Sequence, residues 1–393
     1  MKTGIKFILR KNDSQTFARS GILRTAHGDV ETPCFMPVGT RGAVKGLLPE
    51  LLARAGTQML LSNTYHLLLR PGPEVIAAVG GLHRFMGWNR PILTDSGGFQ
   101  IYSLSDLVVV DDRGVRFRSH IDGQIIQLTP EDAVRFQALM GSDIAMVLDD
   151  VVPLPQDPAR VREAAERTIR WAERSLKVMR PGQTVFGIVQ GGLDLQLRRE
   201  CLRQLSAMDF PGYALGGLSV GESPAEMYQV VRAIAPELPL DKPRYLMGVG
   251  RPVDLLEAIG AGIDLFDCVI PTRNGRNATA FTNYGKIRLR NSKYRADPRP
   301  IEEGCFCPAC DGGKFSRAYI RHLFMTGELL GPVLVSLHNV FFYQKLMADC
   351  RRAIRQGAFN DFKEELTRRL EQWEQKEDFE AEDSPSGTLR PQS

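Results

Sequence analysis

The sequence lacks any uninterrupted apolar run of the length that a membrane-spanning helix requires, about 18 residues or more. Its first twelve residues, MKTGIKFILRKN, are too short and too charged for a signal peptide. Seven cysteines in 393 residues are too few for a disulfide scaffold, and a net charge of +4 is too small to indicate a partner. We therefore expect a cytoplasmic protein, not attached to a membrane, whose cysteines stay reduced unless they bind a metal.

The composition is that of a globular protein, with 43% hydrophobic and 24% charged residues, but the charge is unevenly placed. Residues 271–300 hold eight Lys or Arg and one acid, a net of +7, which leaves −3 for the rest of the chain. Such a basic segment is typical of a surface that contacts phosphates, although charge alone fits a solvated surface hairpin equally well. Residues 377–393 hold five acids and one Arg, which indicates an acidic disordered tail.

Short apolar runs alternate with helical patterns along most of the chain. Eight runs are typical of buried parallel strands: 33–39, 58–63, 92–95, 144–150, 185–190, 213–218, 245–250 and 264–270. Helical periodicity recurs at 49–55, 129–140, 157–179, 197–208, 224–234 and 252–261, with Thr129 as an N-cap and Pro130 at the first helical position. This alternation predicts an α/β fold, a (β/α)8 TIM barrel of about 250 residues with room for an insertion. A doubly wound open sheet is the alternative, and eight strands favour the barrel.

Three carboxylates and one amide lie at or near the carboxyl ends of predicted strands: Asp95, Asp149, Asp267 and Gln190. In a barrel the carboxyl ends of the strands converge on the face that carries active sites, so we expect these side chains to lie together. Two carboxylates that face one cavity can act as nucleophile and general acid/base, the arrangement that breaks glycosidic bonds with retention. Either aspartate alone would be better explained as a structural residue.

A second set of residues has the groups that would recognise a planar base. The Asp149 carboxylate accepts hydrogen bonds, the Gln190 amide donates and accepts, and the backbone of Gly216 and Gly217 can approach closely and donate. Phe99 and Met247 are candidates to stack on the two ring faces, although core packing is the commoner role of both residue types. Together these groups match the edge and faces of a guanine-like nucleobase flipped out of its strand.

A metal site is indicated by Cys305, Cys307 and Cys310, followed after 27 residues by His338. Three cysteines and one histidine in a reduced compartment are typical of a tetrahedral structural zinc site, with one Zn²⁺ per chain. His322 is the other available histidine, but its helical pattern places it on a charged face, so we favour His338. Four protein ligands leave no position for water, and the zinc would therefore stabilise a small subdomain rather than catalyse.

Taken together, the motifs resemble those of the tRNA-guanine transglycosylase family, in the bacterial type. The motifs are SNTYHL (62–67), DSGGFQ (95–100), QGG (190–192), GGLSVGE (216–222), YLMGVG (245–250), FDCVIPTRNGRN (266–277), the three zinc cysteines and HN (338–339). They occur in the family's order and span most of the chain. The resemblance implies an enzyme of queuosine biosynthesis that exchanges the wobble guanine of a tRNA anticodon for a 7-deazaguanine, through a covalent aspartyl–RNA intermediate.

The resemblance also implies roles for individual residues. Asp267 matches the nucleophile and Asp95 the general acid/base. The remaining matches are Asp149, Gln190, Gly217 and Leu218 for recognition of the base, Phe99 and Met247 for stacking, and Arg273 and Arg276 for contact with RNA. The implied partners are the anticodon stem-loops of the Asp, Asn, His and Tyr tRNAs, a 7-deazaguanine base and a second copy of the chain in a homodimer.

Two features of the sequence disagree on the identity of the incoming base. Asp150-Val151-Val152 resembles the eukaryotic catalytic subunit, which takes queuine, where many bacterial members have Glu-Cys-Thr. Val220 follows the bacterial pattern, where the eukaryotic subunit has Gly, and its branched side chain should narrow the pocket. We favour 7-aminomethyl-7-deazaguanine (preQ1), with direct queuine salvage as the alternative. A non-catalytic RNA-binding subunit is a further alternative, which the presence of both Asp95 and Asp267 disfavours.

These observations divide the chain into four parts. We expect the barrel with an N-terminal extension at 1–270, and the basic segment with the zinc-binding subdomain, inserted near the C-terminus, at 271–345. A C-terminal helix that packs on the barrel should occupy 346–376, followed by the acidic tail at 377–393.

Overall fold

The structure, a computed structural model, describes residues 4–104 and 107–382, with side chains described as far as residue 372. The chain begins with an antiparallel sheet of three strands, β1 (Lys6–Asn12), β2 (Arg19–Thr25) and β3 (Gly28–Thr32). Arg19 on β2 is buried and forms an ion pair with Asp264, the residue before the last barrel strand. This contact fixes the N-terminal sheet to the amino-terminal end of the barrel.

The next eleven strands build the barrel and one insertion. In chain order they are β4 (Cys34–Gly39), β5 (Leu60–Ser62), β6 (Ile92–Thr94), β7 (Val108–Asp111), β8 (Gly114–Arg118), β9 (Ile125–Leu128), β10 (Ile144–Met146), β11 (Val185–Val189), β12 (Tyr213–Leu215), β13 (Arg244–Leu246) and β14 (Leu265–Cys268). Eight of them form a closed parallel barrel, which β14 completes by pairing with β4. The eight are the eight runs that the apolar pattern predicts, and the (β/α)8 prediction is confirmed.

The helices that the sequence predicts are present, with bounds within two residues of those predicted. In chain order the helices up to the barrel's end are α1 (Pro49–Arg54), α2 (Thr64–Leu69), α3 (Pro73–Ala78), α4 (Leu82–Met86), α5 (Gly98–Leu104), α6 (Pro130–Met140), α7 (Pro158–Lys177), α8 (Leu195–Ala207), α9 (Pro224–Ile234) and α10 (Pro252–Gly260). The Thr129 hydroxyl accepts a hydrogen bond from the Asp132 backbone N–H, and Pro130 occupies the first turn of α6. Ser223 and Glu226 form a reciprocal capping box at the start of α9.

Strands β7, β8 and β9 form a separate antiparallel sheet between β6 and β10, which the apolar pattern did not predict. Its inner side chains, such as Phe117, pack with Tyr65 of α2 and Trp171 of α7. The sheet therefore stands beside the barrel, next to the loops that follow β5 and β6.

The C-terminal part consists of α11 (Ile270–Arg276), the hairpin of β15 (Thr279–Thr282) and β16 (Gly285–Arg288), α12 (Arg317–Met325), α13 (Leu330–Gln356) and α14 (Phe359–Glu382). Helix α13 carries His338 in its first half, beside the cysteines, and contacts the barrel in its second half. There the Tyr343 hydroxyl donates to the Gly250 carbonyl at 2.6 Å, and the Gln344 amide donates to the Phe35 carbonyl at 3.0 Å. The predicted boundary at 345/346 thus lies inside one continuous helix.

Two further expectations concern the ends and the membrane. The backbone of 377–382 is helical as the end of α14, and the rest of the predicted acidic tail, 383–393, lies outside the described residues. Across the two described stretches, every helix falls short of the length or the apolar character needed to cross a membrane.

Candidate active site

A cavity of about 710 Å³ opens at the carboxyl ends of the barrel strands. Within the described chain, residues that end or follow every barrel strand except β11 contribute to its wall. The predicted residues that line it are Asp95, Phe99, Asp149, Gly217, Leu218, Val220, Met247, Asp267, Arg273 and Arg276. The structure thus gathers at one site residues that are up to about 180 positions apart, because parallel strands direct all their carboxyl ends to one face.

Asp95 follows β6 and is held by two neutral donors from the end of β5. The Asn63 side-chain amide donates to Oδ2 at 2.6 Å, and the Thr64 backbone N–H donates to Oδ1 at 2.8 Å. Burial raises the pKa of Asp95 to about 6, and the nearby charge of Asp267 adds to this, while the two hydrogen bonds act in the opposite direction. Asp95 is therefore able to exist in both protonation states near neutral pH.

Asp267 lies on β14 with one carboxylate oxygen fixed by two donors. The Tyr245 hydroxyl donates to Oδ1 at 2.6 Å and the Gly248 backbone N–H donates to the same oxygen at 2.8 Å. Burial raises the pKa of Asp267, and both hydrogen bonds lower it by stabilising the charged form. Burial and the adjacent Asp267 charge hold the pKa of Tyr245 well above its usual value, so this hydroxyl remains a donor.

Asp149 and Gln190 form a pair, of which Asp149 faces the cavity. The Gln190 side-chain amide donates to Oδ2 of Asp149 at 2.7 Å, and the Ser96 hydroxyl donates to Oδ1 at 3.3 Å. Gln190 directly follows β11 and lies behind the wall of the main cavity, where it lines a smaller cavity. Burial raises the pKa of Asp149 to about 6, with the Gln190 and Ser96 hydrogen bonds opposing it.

The two glycines after β12 have to be glycines because Gln190 lies against them. A Cβ on Gly217 would stand 2.2 Å from the Gln190 amide oxygen, and the residue has φ +61°. A Cβ on Gly216 would stand 2.5 Å from Cγ2 of Ile188. The close approach brings the backbone of this loop beside Asp149, as the predicted recognition of a planar base requires.

A buried arginine, Arg198 on α8, supports these loops and was not predicted from the sequence. Its guanidinium donates to the carbonyls of Gly192 at 2.7 Å, Val189 at 3.2 Å and Gly216 at 3.0 Å. Burial lowers the pKa of Arg198 to about 10, which leaves the side chain charged near neutral pH. A helical arginine has no local sequence signal that distinguishes it from the exposed arginines of the same helix.

The side chain of Asp150 points away from the main cavity, unlike that of Asp149, and its partners are charged. Its side chain is 1% exposed, and the Arg160 and Arg167 guanidinium groups contact it at 2.7 Å and 2.6 Å. The next residue, Val151, does line the main cavity. Of the unusual Asp150-Val151-Val152 sequence, only the first valine therefore faces the cavity.

Val220 is fixed in position by the residues around it. Glu222 accepts hydrogen bonds from the backbone N–H groups of Ser219 and Val220, and the Val220 carbonyl accepts one from the Leu154 N–H at 3.1 Å. A Cβ on Gly221 would stand 2.0 Å from the Leu154 carbonyl oxygen. The loop has little room to move Val220 away from the cavity.

Four cations stand at the mouth of the cavity: Arg41, Lys45, Arg273 and Arg276. Partial burial lowers the pKa of Lys45, and the charges of Arg276, Arg41 and Arg273 lower it further. The two arginines of α11 were predicted, whereas Arg41 and Lys45 follow β4 and become recognisable only when the barrel closes. Mutually repelling cations around one opening favour a polyanion such as an RNA backbone.

The predicted metal ligands also meet. The Sγ atoms of Cys305, Cys307 and Cys310 lie 3.7, 3.4 and 3.4 Å from Nδ1 of His338, on α13. The other ring nitrogen, Nε2, is 2.7 Å from the Phe281 carbonyl, which places the proton on Nε2 and directs the Nδ1 lone pair towards the sulfur atoms. This buried Cys3His cluster can hold a metal ion, as predicted, and the choice of His338 over His322 is confirmed.

Comparisons with known proteins agree with the geometry. The sequence model of the family described as queuine tRNA-ribosyltransferase matches residues 13–372. A queuine tRNA-ribosyltransferase of a Thermoanaerobacter species is 52% identical over 92% of this chain and 96% of its own. Proteins of the same name from Thermus thermophilus and Syntrophobacter fumaroxidans are 52% and 53% identical, each over 90% of this chain and over 91% and 95% of their own.

Proposed function

The chain belongs to the queuine tRNA-ribosyltransferase family, and we propose that it exchanges the wobble guanine of a tRNA anticodon for a 7-deazaguanine by way of a covalent aspartyl–RNA intermediate. It is an enzyme of the pentosyltransferase class. The observation that carries the mechanism is the pair Asp95 and Asp267, a buried and a half-buried carboxylate that line one cavity and are held by neutral donors.

In the first half-reaction a carboxylate oxygen of Asp267 attacks C1′ of the target ribose. The bond from C1′ to guanine breaks, its electron pair leaves with the base, and Asp95 supplies the proton that the departing guanine takes up. In the second half-reaction Asp95 removes a proton from the incoming base, which attacks C1′ and releases Asp267. Asp95 regains its proton, the Asp267–C1′ ester bond breaks and a new glycosidic bond replaces the old one, so no oxidant or nucleoside triphosphate is needed.

The hydrogen bonds at the two aspartates suit these roles. Both donors to Asp267 bind Oδ1, which favours the charged form and makes Oδ2 the attacking oxygen in this proposal. Burial raises the pKa of Asp95 to about 6, which is close enough to neutral pH for this residue to give and take a proton in one catalytic cycle.

Recognition of the base is assigned to the part of the cavity wall that Asp149, Gly217 and Leu218 form. Asp149 would accept hydrogen bonds from the N–H edge of a guanine-like ring, and Gln190, which lies behind the wall, would hold Asp149 in position through its side-chain amide. The backbone of Gly217 and Leu218 would meet the base's carbonyl oxygen. Phe99, of which 47% is exposed, and Met247 both line the cavity and would stack on the two ring faces.

We assign preQ1 rather than queuine as the incoming base because the branched side chain of Val220 narrows the cavity. Val151 and Val220 both line it, and the loop of Val220 is fixed by Glu222 and Leu154. Asp150, the polar residue of the Asp150-Val151-Val152 sequence, points away from the cavity and is paired with two arginines. Direct use of queuine stays the alternative.

Remaining assignments complete the proposal. The Cys3His cluster would hold one structural Zn²⁺, because a thiolate-rich set of four protein ligands suits that ion and leaves no open position. The ion would stabilise the small subdomain at 271–345, which joins the active site to a basic RNA surface. Arg273 and Arg276 would contact the anticodon stem-loop of the Asp, Asn, His and Tyr tRNAs, and the enzyme would work as a cytoplasmic homodimer.

The nucleophile is tested by Asp267→Asn, with radiolabelled guanine and unmodified tRNA-Tyr as substrates. We expect label incorporation to fall roughly 10⁴-fold or more, and the protein–RNA adduct that survives denaturing electrophoresis to disappear. The control is Asp241→Asn, an exposed aspartate at the other end of the barrel, which should keep both. Incorporation by Asp267→Asn at the normal rate would refute the covalent mechanism, and release of guanine without incorporation by the wild type would indicate a nucleosidase instead.

The incoming base is tested by comparing kcat/KM for preQ1 and queuine, in the wild type and in Val220→Gly. We expect the wild type to prefer preQ1 and the variant to shift towards queuine by about 10- to 200-fold, since removing a small branched side chain from a pocket changes discrimination by about 1–3 kcal/mol. Tm and guanine exchange of the variant serve as controls for its fold. A wild type that prefers queuine contradicts the assignment and leaves the exchange mechanism untouched.

A further inference from the structure

Two histidines and one aspartate meet at the amino-terminal end of the barrel, opposite the candidate active site. His27 lies in the turn between β2 and β3, His83 on α4, and Asp143 directly before β10. Nδ1 of His27 is 2.8 Å from Oδ1 of Asp143, and Nε2 of His83 is 3.0 Å from Oδ2. Both imidazole rings therefore contact the same carboxylate, and they stack on each other with their centroids 3.6 Å apart.

We propose that His27, His83 and Asp143 bind a divalent transition-metal ion at a second site, separate from the Cys3His cluster. Two imidazoles and one carboxylate are ligands that Zn²⁺, Ni²⁺ and Co²⁺ accept, and their three ligand atoms lie close enough to share one ion. The N···O contacts of 2.8 and 3.0 Å are hydrogen bonds, which an ion bound between these three side chains would replace. Each histidine binds as the neutral tautomer that carries its proton on the other ring nitrogen.

The ligands are held in place before any ion binds. The Asp143 backbone N–H donates to the Ile92 carbonyl at 2.9 Å, and Oδ2 of Asp143 accepts from the Ile92 N–H, also at 2.9 Å. The His27 backbone N–H donates to the Thr25 hydroxyl at 3.1 Å, which fixes the turn. The Asp143 side chain is 1% exposed while that of His27 is 39% exposed, so the site has a fixed carboxylate and an entry from solvent.

Three protein ligands leave further positions for water, so this site should bind more weakly and exchange faster than the thiolate site. A bound ion would join the β2–β3 turn to α4 and to the start of β10.

The test starts from protein that carries one zinc in the Cys3His cluster and titrates it with Co²⁺. We expect one further equivalent to bind, with weak d–d absorption in the visible and without the intense thiolate-to-cobalt bands that the first site would give. Ni²⁺ should raise Tm in proportion to its occupancy of the native state. His83→Gln should lose the second ion and the Tm rise, whereas His322→Gln, which removes an exposed histidine outside the cluster, should keep both.

Asp143→Asn is the second variant, because its amide oxygen can still accept from Ile92 while the metal-binding charge is gone. Guanine exchange at the opposite end of the barrel reports whether each variant is folded. Binding of no second ion by the wild type at millimolar free metal would overturn the proposal. So would a second ion that persists in folded His83→Gln and Asp143→Asn, or one that is lost in His322→Gln.

Discussion

The two ends of the barrel hold their buried carboxylates in different ways. At the carboxyl end, Asp95, Asp149 and Asp267 accept hydrogen bonds from amide, hydroxyl and backbone N–H groups, all of them neutral. At the amino end, Asp264 is paired with Arg19 at 2.5 Å and Asp143 with two histidines. The donors at the carboxyl end orient a carboxylate without neutralising it, whereas those at the amino end provide a cation or a group that can become one.

Asp149 and Asp150 repeat this contrast within two adjacent residues. Asp149 faces the cavity, has Gln190 as its partner and a pKa raised to about 6, while Asp150 faces away and is paired with Arg160 and Arg167. The position of a side chain relative to the cavity, rather than its position along the chain, therefore decides whether it receives a cation. Carboxylates that must react lack the cation that pairs with those in structural roles.

Among the substitutions that test this comparison, replacement of Asp95 by Asn has the largest expected effect, and it tests the catalytic end. We expect kcat/KM for guanine exchange to fall by about 10²- to 10⁴-fold, because an amide cannot give or take the proton. Its oxygen can still accept from the Thr64 N–H, and the Asn63 amide can turn to present its own oxygen to the new amide group. Steady-state incorporation of labelled guanine into tRNA measures the loss.

The same variant should be more stable than the wild type at neutral pH. The folded pKa of Asp95, about 6, lies above the model-peptide value of 3.8, so ionising it opposes folding at pH 7 by up to about 3 kcal/mol. This gain from Asp95→Asn should shrink as the pH falls through 6 and vanish near pH 4, where the wild-type group is protonated in both states. Denaturant unfolding at pH 7.5 and pH 5 measures it, and a variant that is less stable at pH 7.5 would contradict the comparison.

Asp264→Asn is the matched substitution at the amino end, and the expected signs are reversed. Burial raises the pKa of Asp264 even beside Arg19, but removal of the carboxylate leaves the Arg19 guanidinium, 1% exposed, without its counter-charge. We expect a loss of about 3–5 kcal/mol in the free energy of unfolding, with guanine exchange by the folded protein largely unchanged. A stable variant that had lost activity would show that this end also serves catalysis.

Much of the fold could be predicted from the sequence because its signals are local. Each barrel strand is a short apolar run buried on both faces, and helices such as α6 begin at capping residues that the sequence displays. The sheets β1–β3 and β7–β9 were missed because many of their side chains are exposed or half-buried, so their strands do not appear as apolar runs. The fold class needed only the buried pattern, whereas the additions to the barrel did not share it.

The candidate site was predictable only in part, for a similar reason. The aspartates at strand ends and the cysteine cluster stand in recognisable local contexts. Their hydrogen-bond partners do not, since Asn63 meets Asp95 from 32 positions away. At the opposite end of the barrel, the contact between His27 and Asp143 likewise spans 116 positions. Arg41 and Lys45 reach the cavity only because β4 closes the barrel against β14. Contacts made by closure of the fold leave no pattern in a single segment.

The smallest expected effect is a shift in a pH profile, and it tests whether the neutral donors at the catalytic end tune their carboxylates. Asn63 lowers the pKa of Asp95 by donating to its charged form, so Asn63→Ala should raise that pKa further above 6. If Asp95 acts as the acid for the departing guanine, the fall of kcat/KM at high pH should move upward by about one pH unit.

The matched control is Asn89→Ala, an exposed asparagine whose loss should leave the profile in place. An unchanged high-pH limb in Asn63→Ala would assign that limb to another group, and a downward shift would mean that Asn63 stabilises the protonated acid instead. An upward shift without a large fall in the maximal kcat/KM is the result that separates tuning from mere positioning, because a misplaced Asp95 would lower the rate at every pH. Neutral donors would then offset burial at this end of the barrel and keep the pKa of an acid without a cationic partner near neutral pH.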